Sequence, residues 1–259
     1  MQKRHPLEIV KSVIFALVLR EMRGRFGRLR MGALWVVLEP VAHLAAVGTL
    51  VTLRTQASPS YEFLVWLLVG LSPFLLYKNI VLKLMGSVDA NKALFSYKQI
   101  QPADAFIART LVEFCISAIV FFLIYVGLTW YGLDTRIADP LMWLFILLVG
   151  IALSMSLGTI YAIIANAIPE AAFILRLTFL PLYILSGVVF SLHRVPDEYM
   201  QYILWNPYLH IIDLIRSKTF FRYNVYPGVS LRYVMEFTAI ALFFAAAAYR
   251  LRRFRLMAL

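Results

Sequence analysis

Five arginines, Arg20, Arg23, Arg25, Arg28 and Arg30, crowd one short stretch that ends at Met31, and from Gly32 the chain turns apolar for the length of a bilayer crossing. Lys and Arg near span ends collect on the cytoplasmic side, so this boundary reads as a cytoplasmic collar followed by a first transmembrane helix. It fixes the side from which that helix enters. The apolar segment then carries Glu39, Pro40 and His43, where lipid disfavours polar groups.

Composition agrees with a membrane chain. Of 259 residues, 62% are hydrophobic and 15% charged, against about 45–50% and about 25% in soluble domains. The mean hydropathy is +0.78. No stretch is polar enough for a separate soluble domain, so residues 1–259 read as a single transmembrane domain. The net charge of +11 would raise nucleic acid as a partner in a soluble protein. Here the positive charge clusters at segment ends, which is the pattern of topology and anionic head groups, with no nucleic acid. The single cysteine, Cys115, excludes an intramolecular disulfide framework and a cysteine-based metal site.

The expected fold is an all-α membrane protein. Residues 7–30 form an N-terminal amphipathic helix at the membrane interface, too short in its apolar part to span and followed at once by Arg20 rather than a cleavage site. Six spans follow, at 33–53, 62–85, 103–131, 140–166, 171–191 and 230–249. A short helix is expected within 87–101, and Pro102 suits the first turn of the next helix. Arg109 and Glu113, four apart on the third span, can pair on one face. Ser154, Ser156 and Gly158 are small residues that let helices approach closely.

Between the last two spans, residues 193–228 hold two apolar pieces split by Asn206-Pro207, each too short to cross. Counting them as a span would put the arginine-rich tail, Arg250 to Arg255, outside, against the Lys/Arg bias. They read instead as broken helices on the outer, periplasmic face, with both termini cytoplasmic.

No Gly-rich phosphate loop of the P-loop type occurs. The histidines His5, His43, His193 and His210 lack metal-ligand spacing, and no Gly-x-Ser-x-Gly elbow is present. Catalytic, metal and cofactor-binding residues are therefore expected to be absent from this chain, which reads as a transport protein and not an enzyme. Polar residues inside spans are the better guide, because they face a bundle interior or a water-filled path. Trp35, Glu39 and His43 fall on one stripe of the first span; Tyr77, Lys78 and Lys83 lie toward one end of the second; Arg176, Tyr183 and Ser186 sit on the fifth. The expected canal lining is Trp35, Glu39, His43, Tyr77, Lys78, Arg176, Tyr183 and Ser186. The alternative for Glu39 and His43 is a pair that satisfies itself inside the bundle. A secondary transporter would show internal repeats or more mid-membrane ionisable groups, and a membrane glycosyltransferase a carboxylate or metal site; neither pattern is evident.

Leu19-Arg20-Glu21, Arg25-Phe26-Gly27, and Gly32-Ala33-Leu34-Trp35 running to Leu38-Glu39-Pro40 resemble the entry segment of the polysaccharide-export permeases of the ABC-2 class. Ala90-Asn91, Leu94-Phe95, Tyr97, Pro102, Asp104, Ala108-Arg109, Glu113, Leu204-Trp205-Asn206-Pro207, His210 and Arg216 extend the resemblance in order along the chain. It is closest to the capsule-exporting, KpsM-type branch. Arg30-Met31 stands where O-antigen exporters tend to carry a serine, which favours the capsule branch over the alternative, export of O-antigen or another lipid-linked glycan. The resemblance implies a homodimer joined to two copies of a separate ABC ATPase subunit that binds ATP and Mg. It implies export of a lipid-linked, often acidic polysaccharide across the bacterial inner membrane, with handover to a periplasmic co-polymerase and an outer-membrane channel. Under it, Asp89, Asn91, Leu94, Phe95 and Tyr97 couple to the ATPase, Asp89 and Asn91 shaping the helix start. Trp205, Asn206, Pro207, His210 and Arg216 form an outer gate.

Overall fold

The computed structural model describes residues 6–26, 32–54, 63–97 and 99–257. They form helices and turns, with no strand among the described residues. In chain order the helices are α1 (Pro6–Phe26), α2 (Gly32–Arg54), α3 (Phe63–Met85), α4 (Ser87–Asn91) with a 3₁₀ continuation (Lys92–Ser96), α5 (Pro102–Trp130) and α6 (Pro140–Ala167). Then come α7 (Ala171–Leu177), α8 (Phe179–Leu185), a 3₁₀ turn (Leu192–Arg194), α9 (Asp197–Ile203), α10 (Pro207–Thr219) and α11 (Leu231–Met257).

Prolines mark three of the starts. Pro102, Pro140 and Pro207 each occupy the first turn of their helix, where a missing N–H costs nothing and the fixed φ suits the helix. Asp104 Oδ2 accepts from Gln101 N–H at 2.9 Å, Asp139 Oδ1 from Met142 N–H at 3.2 Å and Asn206 Oδ1 from Tyr208 N–H at 3.0 Å. Each side chain satisfies one otherwise orphaned donor.

The helices α3, α5, α6 and α11 are each long and apolar enough to cross a membrane. Two other expected spans look different. Helix α2 has 23 residues, of which Pro40–Leu50 forms a described apolar stretch. The fifth, expected at 171–191, is helical only over Ala171–Leu185 and is broken between α7 and α8. Residues 186–191 turn instead, with Gly187 at φ +70°.

Helix α3 is the centre of the molecule, buried on most of its circumference. One core joins it to α5, α6, α10 and α11 through Tyr77, Ile80, Leu84, Phe106, Ile146, Leu153, Tyr208, Ile215 and Val234. A second core, around Leu44, Trp66, Leu71, Phe74, Phe179, Val188 and Ile212, joins it to α2, α8 and α10. The expected close approach occurs at Gly158, where an added Cβ would stand 2.9 Å from Leu84 Cβ. An alanine there forces α3 and α6 apart. The segment at residues 192–229 has a small core of its own built on Leu192, Met200, Ile203 and Leu209. It is a cap, not a loop.

Helix α1 is docked along α5, with Val18 and Met22 on Val112, Ile116 and Val120. Leu7, Phe15 and Leu19 stay exposed, which leaves a second apolar face for lipid.

Candidate functional site

The Glu21 and Arg25 side chains lie one turn apart on α1, and Arg109 and Glu113 one turn apart on α5. The expected pair within α5 does not form. Arg109 Nε instead donates to Glu21 Oε1 at 3.1 Å, and Arg25 pairs with Glu113, one of its two contacts being 3.3 Å. The two ion pairs thus join α1 to α5. The Glu113 side chain is 3% exposed, so it needs a partner that reaches it out of water. Arg20 donates to Asn91 Oδ1 on α4, which extends the same clamp to the segment between α3 and α5.

Above this clamp opens a cleft of about 360 Å³ between α2, α3 and α5. Its polar lining is His43, Ser72, Lys78, Asn79, Lys83, Glu113, Ser117 and Arg25, among leucines and isoleucines. A second hollow of about 390 Å³, lined by Arg20, Glu21, Gly24, Arg25, Lys83 and Arg109, shares Arg25 and Lys83 with it. The two adjoin at these side chains, and the positive charge is densest where α1 meets α3 and α5. Such a lining suits an anionic or hydroxyl-rich solute better than a lipid tail.

Of the expected canal residues, His43 and Lys78 line this cleft. Tyr183 joins them: its hydroxyl lies 3.0 Å from His43 Nε2. Three others sit elsewhere. Tyr77 is fully buried on the far face of α3, where its hydroxyl donates to the Leu147 carbonyl at 3.3 Å and its ring stacks on Tyr208. Ser186 is buried, donating to the Tyr183 carbonyl at 2.9 Å, and Arg176 is exposed on α7. The side chains of Trp35 and Glu39, and residues Arg28 and Arg30, lie outside the described residues. Of the rest of the collar, Arg20 and Arg25 belong to the clamp, and Arg23 is exposed. Sequence reading missed Ser72, Asn79, Glu113 and Ser117 as lining residues. A signal was there: Ser72, Asn79 and Lys83 recur along one stripe of α3, and Glu113 and Ser117 along one of α5.

The coupling segment also differs from expectation. It is helical over Ser87–Ser96 only, and Tyr97 is extended. No side chain caps the start of α4. Asp89 is exposed, while Asn91 sits at the other end, donating to the Ser87 carbonyl at 2.8 Å and accepting from Arg20. Phe95 turns inward to join the core with Leu84 and Val88, at 7% exposure, whereas Tyr97 is 63% exposed and Leu94 intermediate. Phe95→Ala is therefore expected to destabilise the chain by about 3–5 kcal/mol. Tyr97→Ala should leave the melting temperature of the purified protein unchanged. Equal melting of both variants would contradict this division.

In the cap, Asn206, Pro207, His210 and Arg216 are buried and Trp205 alone among the five expected gate residues is exposed. Asn206 and Pro207 start α10, and His210 and Arg216 tie it to neighbouring pieces. Arg216 is the tie. Its Nη1 and Nη2 donate to the carbonyls of Gly187 (2.7 Å) and Val188 (2.8 Å), and its guanidinium lies 3.4 Å over the Trp66 ring of α3. Gly70 faces this guanidinium, and a Cβ there would overlap it. Asp213, near Arg216 on α10, takes the Tyr223 hydroxyl and, at 3.0 Å, the Tyr226 N–H. One buried cation thus ties the 186–191 turn to both α10 and α3.

The sequence pattern of the ABC-2 type transporters matches residues 12–220, from α1 through α10. The chain belongs to this family. It is 37% identical over 250 residues to the polysialic acid transport protein KpsM of Escherichia coli, covering 96% of each chain. It is 26% identical to the capsule polysaccharide export inner-membrane protein CtrC of Neisseria meningitidis serogroup B, covering 83% of this chain and 81% of CtrC. It is 24% identical to the capsule polysaccharide export inner-membrane protein BexB of Haemophilus influenzae, covering 84% and 82%. As an ABC-2 family member the chain has its clamp, its cleft and the cap as far as α10 within the matched region. No group of three or more His, Cys, Asp or Glu side chains with metal-binding geometry occurs among the described residues.

Proposed function

We propose that this protein is the permease subunit of an ATP-driven exporter that moves capsular polysaccharide across the bacterial inner membrane. The observation that carries this reading is the 37% identity to a polysialic acid transport protein over 96% of both chains. The geometry supports it. A polar cleft among α2, α3 and α5 adjoins an arginine-rich hollow at Arg25 and Lys83, a lining suited to an acidic, lipid-linked glycan.

In this proposal the membrane is crossed six times, by α2, α3, α5, α6, the broken α7–α8 segment and α11, with both ends cytoplasmic. The arginines before α2 and at the end of α11 favour that orientation. The working unit is a homodimer with two ATPase subunits, which bind ATP and Mg, and it hands polymer to a periplasmic co-polymerase and an outer-membrane channel. Leu94 and Tyr97 offer the surface to the ATPase, and Arg20–Asn91 carries its motion to α1.

The test is deletion of the gene in its own host, followed by complementation. Surface polymer should vanish and lipid-linked polymer accumulate in the cytoplasm; the complementing, tagged chain should retain an ATPase on purification. Full surface polymer in the deletion strain would overturn the proposal.

A further inference from the structure

His210 stands between three pieces of the cap. Its Nε2 lies 2.7 Å from the Leu204 carbonyl, at the end of α9. Its Nδ1 accepts from the Ser230 N–H at 3.0 Å, at the start of α11. A carbonyl oxygen only accepts and a backbone N–H only donates, so these bonds require the neutral ring with its proton on Nε2. A second proton on Nδ1 would face the Ser230 N–H, donor against donor. The Ser230 hydroxyl in turn takes the Tyr233 N–H at 3.4 Å, so the first turn of α11 hangs on this residue.

We propose that His210 is an acid-sensitive latch of the outer cap: protonation at Nδ1 releases the start of α11 from α10 and loosens residues 226–234.

The surroundings are consistent with a latch that is closed at neutral pH. His210 is 3% exposed, and burial holds its imidazole below the ordinary histidine value. Asp213, one turn along α10, favours the proton but is itself held by Tyr223 and Tyr226. Arg216 points to the 186–191 turn. From α11 the Tyr233 ring lies 4.7 Å away, its hydroxyl donating to the Trp205 carbonyl, while Arg232 and Glu236 pair with each other in solvent. From α9, Asp197 takes the Tyr226 hydroxyl, and Glu198 is exposed. A folded-state pKa below the unfolded one means the folded cap binds fewer protons. Its stability is then full above about pH 6.5 and falls as pH drops further.

That the cap faces the periplasm rests on the topology proposed above; the latch itself does not, and the experiment uses the purified full-length chain without export. Hydrogen exchange of the amides at 229–234, corrected for intrinsic rates, is compared from about pH 7.5 down to about pH 5. Wild-type protection should fall, approaching about tenfold per pH unit once the ring is neutral closed and charged open. His210→Gln keeps one donor and one acceptor but does not titrate, so its profile should be flat. A flat wild-type profile, or a His210→Gln profile that falls in parallel, would overturn the latch. Should His210→Gln fail to fold, histidine-selective ¹⁵N spectra of the wild type decide it: an imidazolium or an Nδ1–H ring at neutral pH contradicts the geometry.

Discussion

Replacing Arg216 by methionine is expected to unfasten the outer cap and abolish export. The substitution roughly keeps side-chain length but leaves the Gly187 and Val188 carbonyls without their donors and Asp213 without its neighbouring cation. Removing one partner of a buried charged network costs about 3–5 kcal/mol, which is a large share of the stability of most folds. The expected readout is a clear drop in the melting temperature of the purified permease, with faster proteolysis between residues 186 and 229. Arg216→Lys should fall between wild type and methionine, because one ammonium cannot fork to two carbonyls and lie flat on Trp66. Gly70→Ala should reproduce part of the defect from α3, since its new methyl group occupies guanidinium space. Wild-type melting in Arg216→Met would remove the tie from the account of the cap.

Glu113→Gln is expected to be the second most damaging change. It leaves Arg25 against Lys83 and Arg109 with its carboxylate gone. A hydrogen bond to a charged group contributes about 1.5–3 kcal/mol, and α1 should loosen from α5 by that order. The reversed pair, Arg25→Glu with Glu113→Arg, should recover much of the loss, because both partners still meet across the same contact. A double-mutant cycle on Arg25→Gln and Glu113→Gln should give a coupling of about 1–3 kcal/mol, against near zero for sites that do not touch. Additive losses would mean that the pair only decorates the contact.

Helix starts were legible in the sequence because they are local: Pro102, Pro140 and Pro207, with Asp139 and Asn206 beside two of them, each act within one turn. That residues 193–228 hold two short helices parted at Asn206-Pro207 was legible too, because Pro207 closes one apolar piece and opens the next. Contacts between helices were harder to read. Arg109 and Glu113 had a satisfactory partner in each other by spacing, and nothing local announced that Glu21 and Arg25 would be preferred. Tyr77 and Lys78 are neighbours, so one must leave the face the other occupies; periodicity separates them but does not say which face meets the cleft. Phe95 is apolar enough either to bind a partner or to fill its own core, and only the position of Leu84 and Val88 decides for the core. The break in α7–α8 was likewise hidden, since Pro181 marks where a helix can yield but not how much of the segment stays helical.

The last helix overshoots its apolar segment. The sequence places its crossing at 230–249, yet α11 continues unbroken to Met257. A helix of 27 residues is about 40 Å long, some 10 Å more than a hydrocarbon core of about 30 Å. Its arginine-bearing end is therefore a rigid extension beyond the apolar segment, held to the protein by the buried Leu256. Tyr249, at the foot of that extension, accepts the Ala103 N–H at 3.3 Å, in the first turn of α5 and just past the coupling segment. The length of that extension sets a fixed spacing between the lipid surface and anything that docks beside it. Lengthening it by one turn, about 5.4 Å, would shift that spacing without touching a single residue of the cleft.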